Sequence, residues 1–268
     1  MDRITKFIKE NPLKTLAASI LGVCFATFGN AIMQYVGYKF NRLAIKYIGK
    51  FKPKRIIFVR HGESEANVNP KIYNQKADWQ VELSPKGQSQ AIKAGENLKA
   101  MLSKDDTIEC YISPYTRTRQ TFEGVRKAIN DKIILIREDP RLREQEFGSY
   151  TDEEMVKIRK DRHSFGRFYY RFPKGEAGSD VYDRASQMLD VFMRQINDIE
   201  VDNGTTYLVV THSLFMKFFL TRYFHWPIEK FEQIKSCSNA DFWILELNNE
   251  GRYELISKLE EDKDSKEL

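Results

Sequence analysis

Cysteine is scarce in this 268-residue chain: Cys24, Cys110 and Cys237 stand far apart and form no CxxC pair. So sparse and odd a set excludes a disulfide framework and fits a reducing compartment, with buried, inert thiols as the default. No cluster of Cys and His could hold zinc, so no metal site and no cofactor is expected. There is no internal repeat. The net charge is only +5, and no polybasic block dominates the body of the chain, so charge gives no reason to expect nucleic acid as a partner. What is present is a globular composition, 41% hydrophobic and 30% charged. The length allows one α/β domain of ordinary size plus an extension.

Residues 15–38, TLAASILGVCFATFGNAIMQYVGY, carry no charged side chain. As a helix these 24 residues would run about 36 Å, enough to cross a bilayer core of about 30 Å. Ala18, Gly22, Ala26, Asn30 and Gln34 form a stripe of small and polar residues opposite Ile20, Phe28 and Tyr35. Such a stripe suits packing against a membrane-protein partner. A membrane helix is therefore expected. The competing readings are a soluble helix packed on the domain and a signal-peptide core, the latter poor because no small-x-small cleavage site ends the stretch. From Lys39 to Arg55 seven basic residues occur with no acid. That bias puts the following domain on the cytosolic or mitochondrial matrix side, and makes the mitochondrial inner membrane a compatible location.

Beyond residue 54 the pattern alternates. RIIFVRHG reads as a buried strand, and Ser84-Pro85 opens a helix to about residue 103, with Ser as cap and Pro in the first turn. TIECYISP and KIILI are strands flanking a helix over YTRTRQTFEGVRKAI. Helices are expected at 151–165, 179–201 and 214–224, a strand at 205–211, and antiparallel-edge strands at 241–247 and 252–257. This alternation predicts an α/β fold with a mostly parallel central sheet and helices on both faces. The division expected is an extension at 1–53, a catalytic-sized domain at 54–257 and a charged, solvated tail at 258–268.

Four features fall just past the carboxyl ends of predicted strands, where open α/β sheets build their sites. They are Arg60-His61-Gly62-Glu63-Ser64 followed by Asn67, Ser113-Pro114-Tyr115-Thr116-Arg117, Leu142-Arg143-Glu144 with Phe147-Gly148 behind, and Thr211-His212-Ser213. Each alone has a bland explanation, as surface decoration or a satisfied half-buried histidine. All four in this order are harder to dismiss. Together with YISPYTRTRQTFEG, LREQEFGSY and FGRFYYRFPKGEAGSDVYDR, they resemble the histidine phosphatase superfamily, in particular the phosphoglycerate-mutase-like proteins of plants and the broad-range acid phosphatases of fungi. The resemblance covers roughly residues 54–257. It implies His61 as the nucleophile that becomes phosphorylated, with Arg60, Arg117 and His212 clamping the phosphoryl oxygens and Asn67 assisting. It implies Glu144 as proton donor to the leaving group and then as base toward water.

The residue chemistry agrees with that implication. Phosphoryl transfer is mostly positioning and electrostatics, and Arg supplies planar, permanently charged donors for it. A neutral imidazole is a competent nucleophile, and a cationic cluster favours its neutral form. Glu144 must be protonated to help an alkoxide leave, which calls for burial or a nearby carboxylate. Two departures from the family pattern matter: Ser213 stands where many relatives have Gly, and Glu146-Phe147 stand where mutases carry an Arg-His-Tyr run. The second favours hydrolysis over isomerisation. The basic, aromatic stretch from Arg159 to Arg171 reads either as a lid wall or as a solvated helix face with aromatics packed inward, and Glu176 is expected to line the site mouth. His163 and His225 are read as structural. The expected activity is hydrolysis of a small phosphate monoester by a membrane-tethered phosphatase. The competing reading is an accessory subunit of a membrane complex that keeps this fold.

Overall fold

The computed structural model describes residues 28–40, 52–195 and 204–262. The chain divides into two compact units, Met1–Gly49 and Lys50–Leu268. In the first unit residues 28–40 are helical, with Phe28, Ile32, Met33 and Val36 exposed. These 13 residues span only about 20 Å as a helix. Among the described residues no helix is long and apolar enough to cross a membrane. The expected 24-residue span is thus not seen, and its residues 15–27 lie outside those described, as does Cys24.

The second unit is built on a six-stranded sheet. Its strands are β1 (Arg55–Arg60), β2 (Thr107–Ile112), β3 (Ile133–Glu138), β4 (Thr205–Thr211), β5 (Phe242–Leu247) and β6 (Tyr253–Leu255). They lie in the order β3-β2-β4-β1-β5-β6; the first four are parallel, β5 pairs antiparallel with β1, and β6 pairs antiparallel with β5. The apolar runs of β1 and β4 are continuous because both faces of these strands are covered. Ile56 and Phe58 of β1 join Tyr207 and Val209 of β4 in one core, against α5 (Gly178–Gln195) and α6 (Ser213–Phe224). Ile57 and Val59 join Leu208 and Val210 in the other, against α2 (Pro85–Met101) and α3 (Thr116–Ile129). Alternation of side chains along the strand sorts each run into two cores.

Local signals set the helix ends. Ser84 caps α2 by accepting from the Gly87 amide at 3.1 Å, with Pro85 in the first turn. Thr151 and Glu154 form a capping box on α4 (Asp152–Phe165). His225 ends α6 in the left-handed conformation, and His163 is exposed on α4. Two short helices escaped the sequence pattern, α1 (Glu65–Val68) and α7 (Ile228–Gln233). The stretch from Arg159 to Arg171 follows neither of its two readings as a whole: Phe165, its aromatic on the helix, is exposed, as is Tyr169, while Phe168 and Tyr170, beyond the helix end, are buried. The tail departs from expectation. Residues 260–262 are docked, through a backbone bond from Asp262 to Gln233 at 2.7 Å and an Arg167–Asp262 ion pair at 3.0 Å, while 263–268 lie outside the described residues. Cys110 and Cys237 are free and buried.

Candidate active site

Strand register brings the site together. β1 and β4 pair with Arg60 opposite Thr211, and the His61 amide donates to the Thr211 carbonyl at 3.0 Å. His61 and His212 therefore leave neighbouring strands side by side, their ring centroids 5.2 Å apart. β2 flanks β4 on the other side, and Ser113 follows it so that its Oγ lies 2.9 Å from His212 Nε2. The loop after His61 is held by backbone contact. A Cβ on Gly62 would stand 2.5 Å from the Gly87 carbonyl oxygen, so the first turn of α2 can approach only a glycine there.

The tautomer of His61 follows from its partner. Nδ1 lies 2.7 Å from the Gly62 carbonyl, which can only accept, so Nδ1 carries the proton and Nε2 keeps the lone pair. Burial, then the Arg117 and Arg60 guanidinium groups, push His61 well below the ordinary imidazole range. His212 is depressed in the same way by burial, Arg117 and His61. Both rings are neutral near pH 7.

Arg60 donates from Nη1 to the Cys237 carbonyl at 2.6 Å, while its Nε is buried without a partner. His212 Nδ1 is likewise buried and unpaired. Arg117 is 2% exposed, and its Nη1 donates to the carbonyl and to Oδ1 of Asp78, both at 2.7 Å. The Tyr115 ring lies under that guanidinium at 4.8 Å and edge-on to His212 at 5.1 Å. Glu144 sits within the field of Arg60 and Arg117. Burial nevertheless raises its carboxyl above the usual range, against the Gln145 amide at 3.1 Å and both arginines, with Asp78 adding to the rise. Asn67 is exposed. Its Oδ1 accepts from the Ser64 amide and from Asn239 Nδ2, and Asn239 also donates to the His61 carbonyl at 3.1 Å, which ties Asn67 to the nucleophile loop.

Glu176 differs from its expected place at the mouth. Its carboxylate is taken up by Arg143, by Arg184 at 2.8 Å and by the Glu146 amide at 3.1 Å. Arg184 in turn donates to the carbonyls of Arg141 and Arg143 at 2.9 Å and of Glu144 at 3.2 Å. Glu176 and Arg184 thus fasten the segment that carries Glu144. Neither Asp78 nor Arg184 carries a local sequence signal: Asp78 meets Arg117 across 39 positions, and Arg184 reaches Glu176 across 8 and the carbonyls of Arg141, Arg143 and Glu144 across 40 to 43. Among the described residues no group of His, Cys, Asp and Glu could hold a metal ion.

Residues 56–257 match the family model of the histidine phosphatase superfamily (branch 1), and the chain belongs to that superfamily. It is 37% identical over 218 residues to a phosphoglycerate mutase-like protein of Arabidopsis thaliana, covering 76% of this chain and 78% of the relative. It is 25% identical to a broad-range acid phosphatase of Saccharomyces cerevisiae, covering 78% and 90% respectively. A mycobacterial glucosyl-3-phosphoglycerate phosphatase, solved with VO3, shares the fold at a TM-score of 0.60 and 19% identity, over 75% of this chain and 96% of that one. The plant and fungal groups named by resemblance are therefore found among its relatives.

Proposed function

We propose that this chain hydrolyses phosphate monoesters through a phosphohistidine at His61. Family membership and the phosphatases among its relatives support phosphatase activity. One observation carries the specific mechanism: a neutral His61 with its lone pair on Nε2 sits in the field of two arginines and a raised Glu144 carboxyl. Nε2 attacks phosphorus, the P–O ester bond breaks, and its electron pair goes to the leaving oxygen, which takes the Glu144 proton. Water then attacks phosphorus of the phosphohistidine and gives a proton to the Glu144 carboxylate, and the P–N bond breaks with its electron pair returning to Nε2 as phosphate is released. Arg60 and Arg117 stabilise the equatorial oxygens. If the Ser113 hydroxyl donates to His212 Nε2, His212 Nδ1 becomes one more donor for them. Asn67 assists from its side amide, and Glu176 acts by holding the Glu144 segment rather than by touching substrate.

The test is turnover of phenyl phosphate by His61→Ala: no turnover, with an unchanged circular dichroism spectrum, is expected. Ordinary activity in that variant defeats the mechanism. We also propose that residues 15–38 tether the enzyme to a membrane, a reading supported by the charge-free run and by the apolar side chains exposed along 28–40. Full-length protein should resist carbonate extraction from membranes, and release by carbonate would contradict the tether.

A further inference from the structure

We infer that the site is selective for monoesters whose leaving alcohol is a neutral, ring-bearing group, and that it disfavours leaving groups carrying a second anion. This deepens the phosphatase reading above and rests on it. Beside the phosphate clamp lies a cavity of about 260 Å³ walled by Tyr73, Trp79, Tyr115 and Phe147, with the carboxylates of Asp78 and Glu146 in its lining. Two residues join it to the clamp. Tyr115 touches both Arg117 and His212, and Asp78 binds Arg117 twice. A phosphoryl group held by Arg117 therefore sits against the inner wall of this cavity, which its ester substituent can enter.

The lining decides what that substituent can be. Four aromatic rings offer faces and edges to a ring or to a sugar's apolar side. Burial first, then carboxylates, keeps the Tyr73 and Tyr115 phenols protonated to about 12, so they present neutral hydroxyls. The cation in the lining, Lys76, is 2.8 Å from Glu65 and 3.8 Å from Glu82, already balanced by two acids. Arg143, next to Glu144 in sequence, is paired with Glu176. A second phosphate or carboxylate in this cavity would meet Glu146 and Asp78 without an uncommitted cation, and like-charge juxtaposition rejects a ligand efficiently. A second cavity of about 430 Å³ shares Tyr73, Phe147, Gly148 and Ser149 with the first, giving longer leaving groups room to continue. Lys71 and Arg159 line only that second cavity.

Calorimetric titration with non-hydrolysable phosphonates reads the cavity independently of chemistry. Methylphosphonate, benzylphosphonate and 4-carboxybenzylphosphonate share one phosphate mimic and differ by a ring and by a second anion. The wild-type protein should bind the benzyl compound about tenfold tighter than the methyl one and about tenfold tighter than the carboxybenzyl one. Trp79→Ala should erase most of the ring preference, and Phe147→Leu should weaken it. Glu146→Gln should narrow the penalty on the carboxylate about threefold, and Glu146→Lys should reverse it. Equal affinities across the three compounds, or a carboxylate penalty untouched by Glu146→Lys, overturn the inference. The matching phosphate esters separate the two claims. Turnover of all three without ring preference contradicts only the selectivity, whereas ring-selective binding without turnover contradicts only the phosphatase reading.

Discussion

The imidazole rings of His61 and His212 stand 5.2 Å apart and inclined at 62°, each held neutral first by burial and then by the same arginine, Arg117. Two histidines this close could not both ionise beside two guanidinium groups. Their neutrality has consequences for rate and for stability.

For rate, the account requires an unprotonated His61 and a protonated Glu144 together. His61 is depressed, so its neutral form persists well below pH 6.5, while Glu144 is raised, so its acid form survives above pH 4.5. The profile of kcat/KM should be a bell with its maximum on the acid side of neutrality. Glu144→Gln should remove the alkaline limb. A maximum on the alkaline side would contradict the assignment of both groups.

For stability, each depressed histidine makes the unfolded chain bind more protons than the folded one. That contribution is complete above about pH 6.5 and is lost as pH falls toward the folded-state pKa. In that window each histidine costs up to about 1.4 kcal/mol per pH unit. Glu144 acts with the opposite sign at its own higher folded pKa, equally in wild type and in a His212 variant. Urea unfolding from pH 7 to pH 5 should therefore show a shallower loss for His212→Gln than for wild type. Parallel curves would mean that His212 takes up a proton as readily in the folded protein as in the unfolded chain.

The role of Glu144 is tested by leaving groups. An acidic aryl leaving group needs little protonation and an alkyl one needs much, so Glu144→Gln should slow benzyl phosphate far more than 4-nitrophenyl phosphate. Equal losses on both esters would remove Glu144 from the acid role.

The Glu176–Arg184 pair should matter chiefly to the fold of the loop it fastens. The side chains are 12% and 8% exposed, and Glu176→Ala strands the Arg184 charge among neutral carbonyls. Glu176→Ala should destabilise the protein by about 3–5 kcal/mol in denaturant titration, and Arg184→Ala by less, because Glu176 keeps Arg143 and the Glu146 amide. Both should also lower kcat more than they raise KM, because Glu144 loses its support. A loss confined to KM would restore Glu176 to the substrate contact expected from sequence.

Much of this was legible in the chain. Strand 205–211 was readable because both its faces are buried, giving an unbroken apolar run, and the start of α2 because Ser84-Pro85 is a local signal. His61, Ser113, Glu144 and His212 could be placed because parallel strands end together at one edge of the sheet. The rest was hidden by distance. Asp78 meets Arg117 across 39 positions, and the charged tail looked solvated although a backbone bridge pairs Glu261 with Ile234. Glu176 reads as an exposed loop acid until α5 brings Arg184 to it. α1 and α7 have four and six residues, too few for a period to declare itself.

The clamp is open to direct measurement. Arg60→Ala, Arg117→Ala and His212→Ala should each reduce kcat on phenyl phosphate by at least about 10²-fold, the scale of one lost transition-state donor. Arg117→Lys should recover little, since Lys cannot keep the forked contact with Asp78 while serving a phosphoryl oxygen. Asp78→Ala should fall between that variant and wild type, because it frees the guanidinium without removing it. Near-normal rates in Arg117→Ala would place the phosphoryl group elsewhere.

The central claim is the covalent intermediate on His61. Rapid quench of wild-type enzyme turning over an aryl phosphate, followed by peptide mass spectrometry, should find an acid-labile phosphate on the peptide containing His61, and none in His61→Ala. Active enzyme that traps no phosphate, or that carries it on His212, would contradict the account.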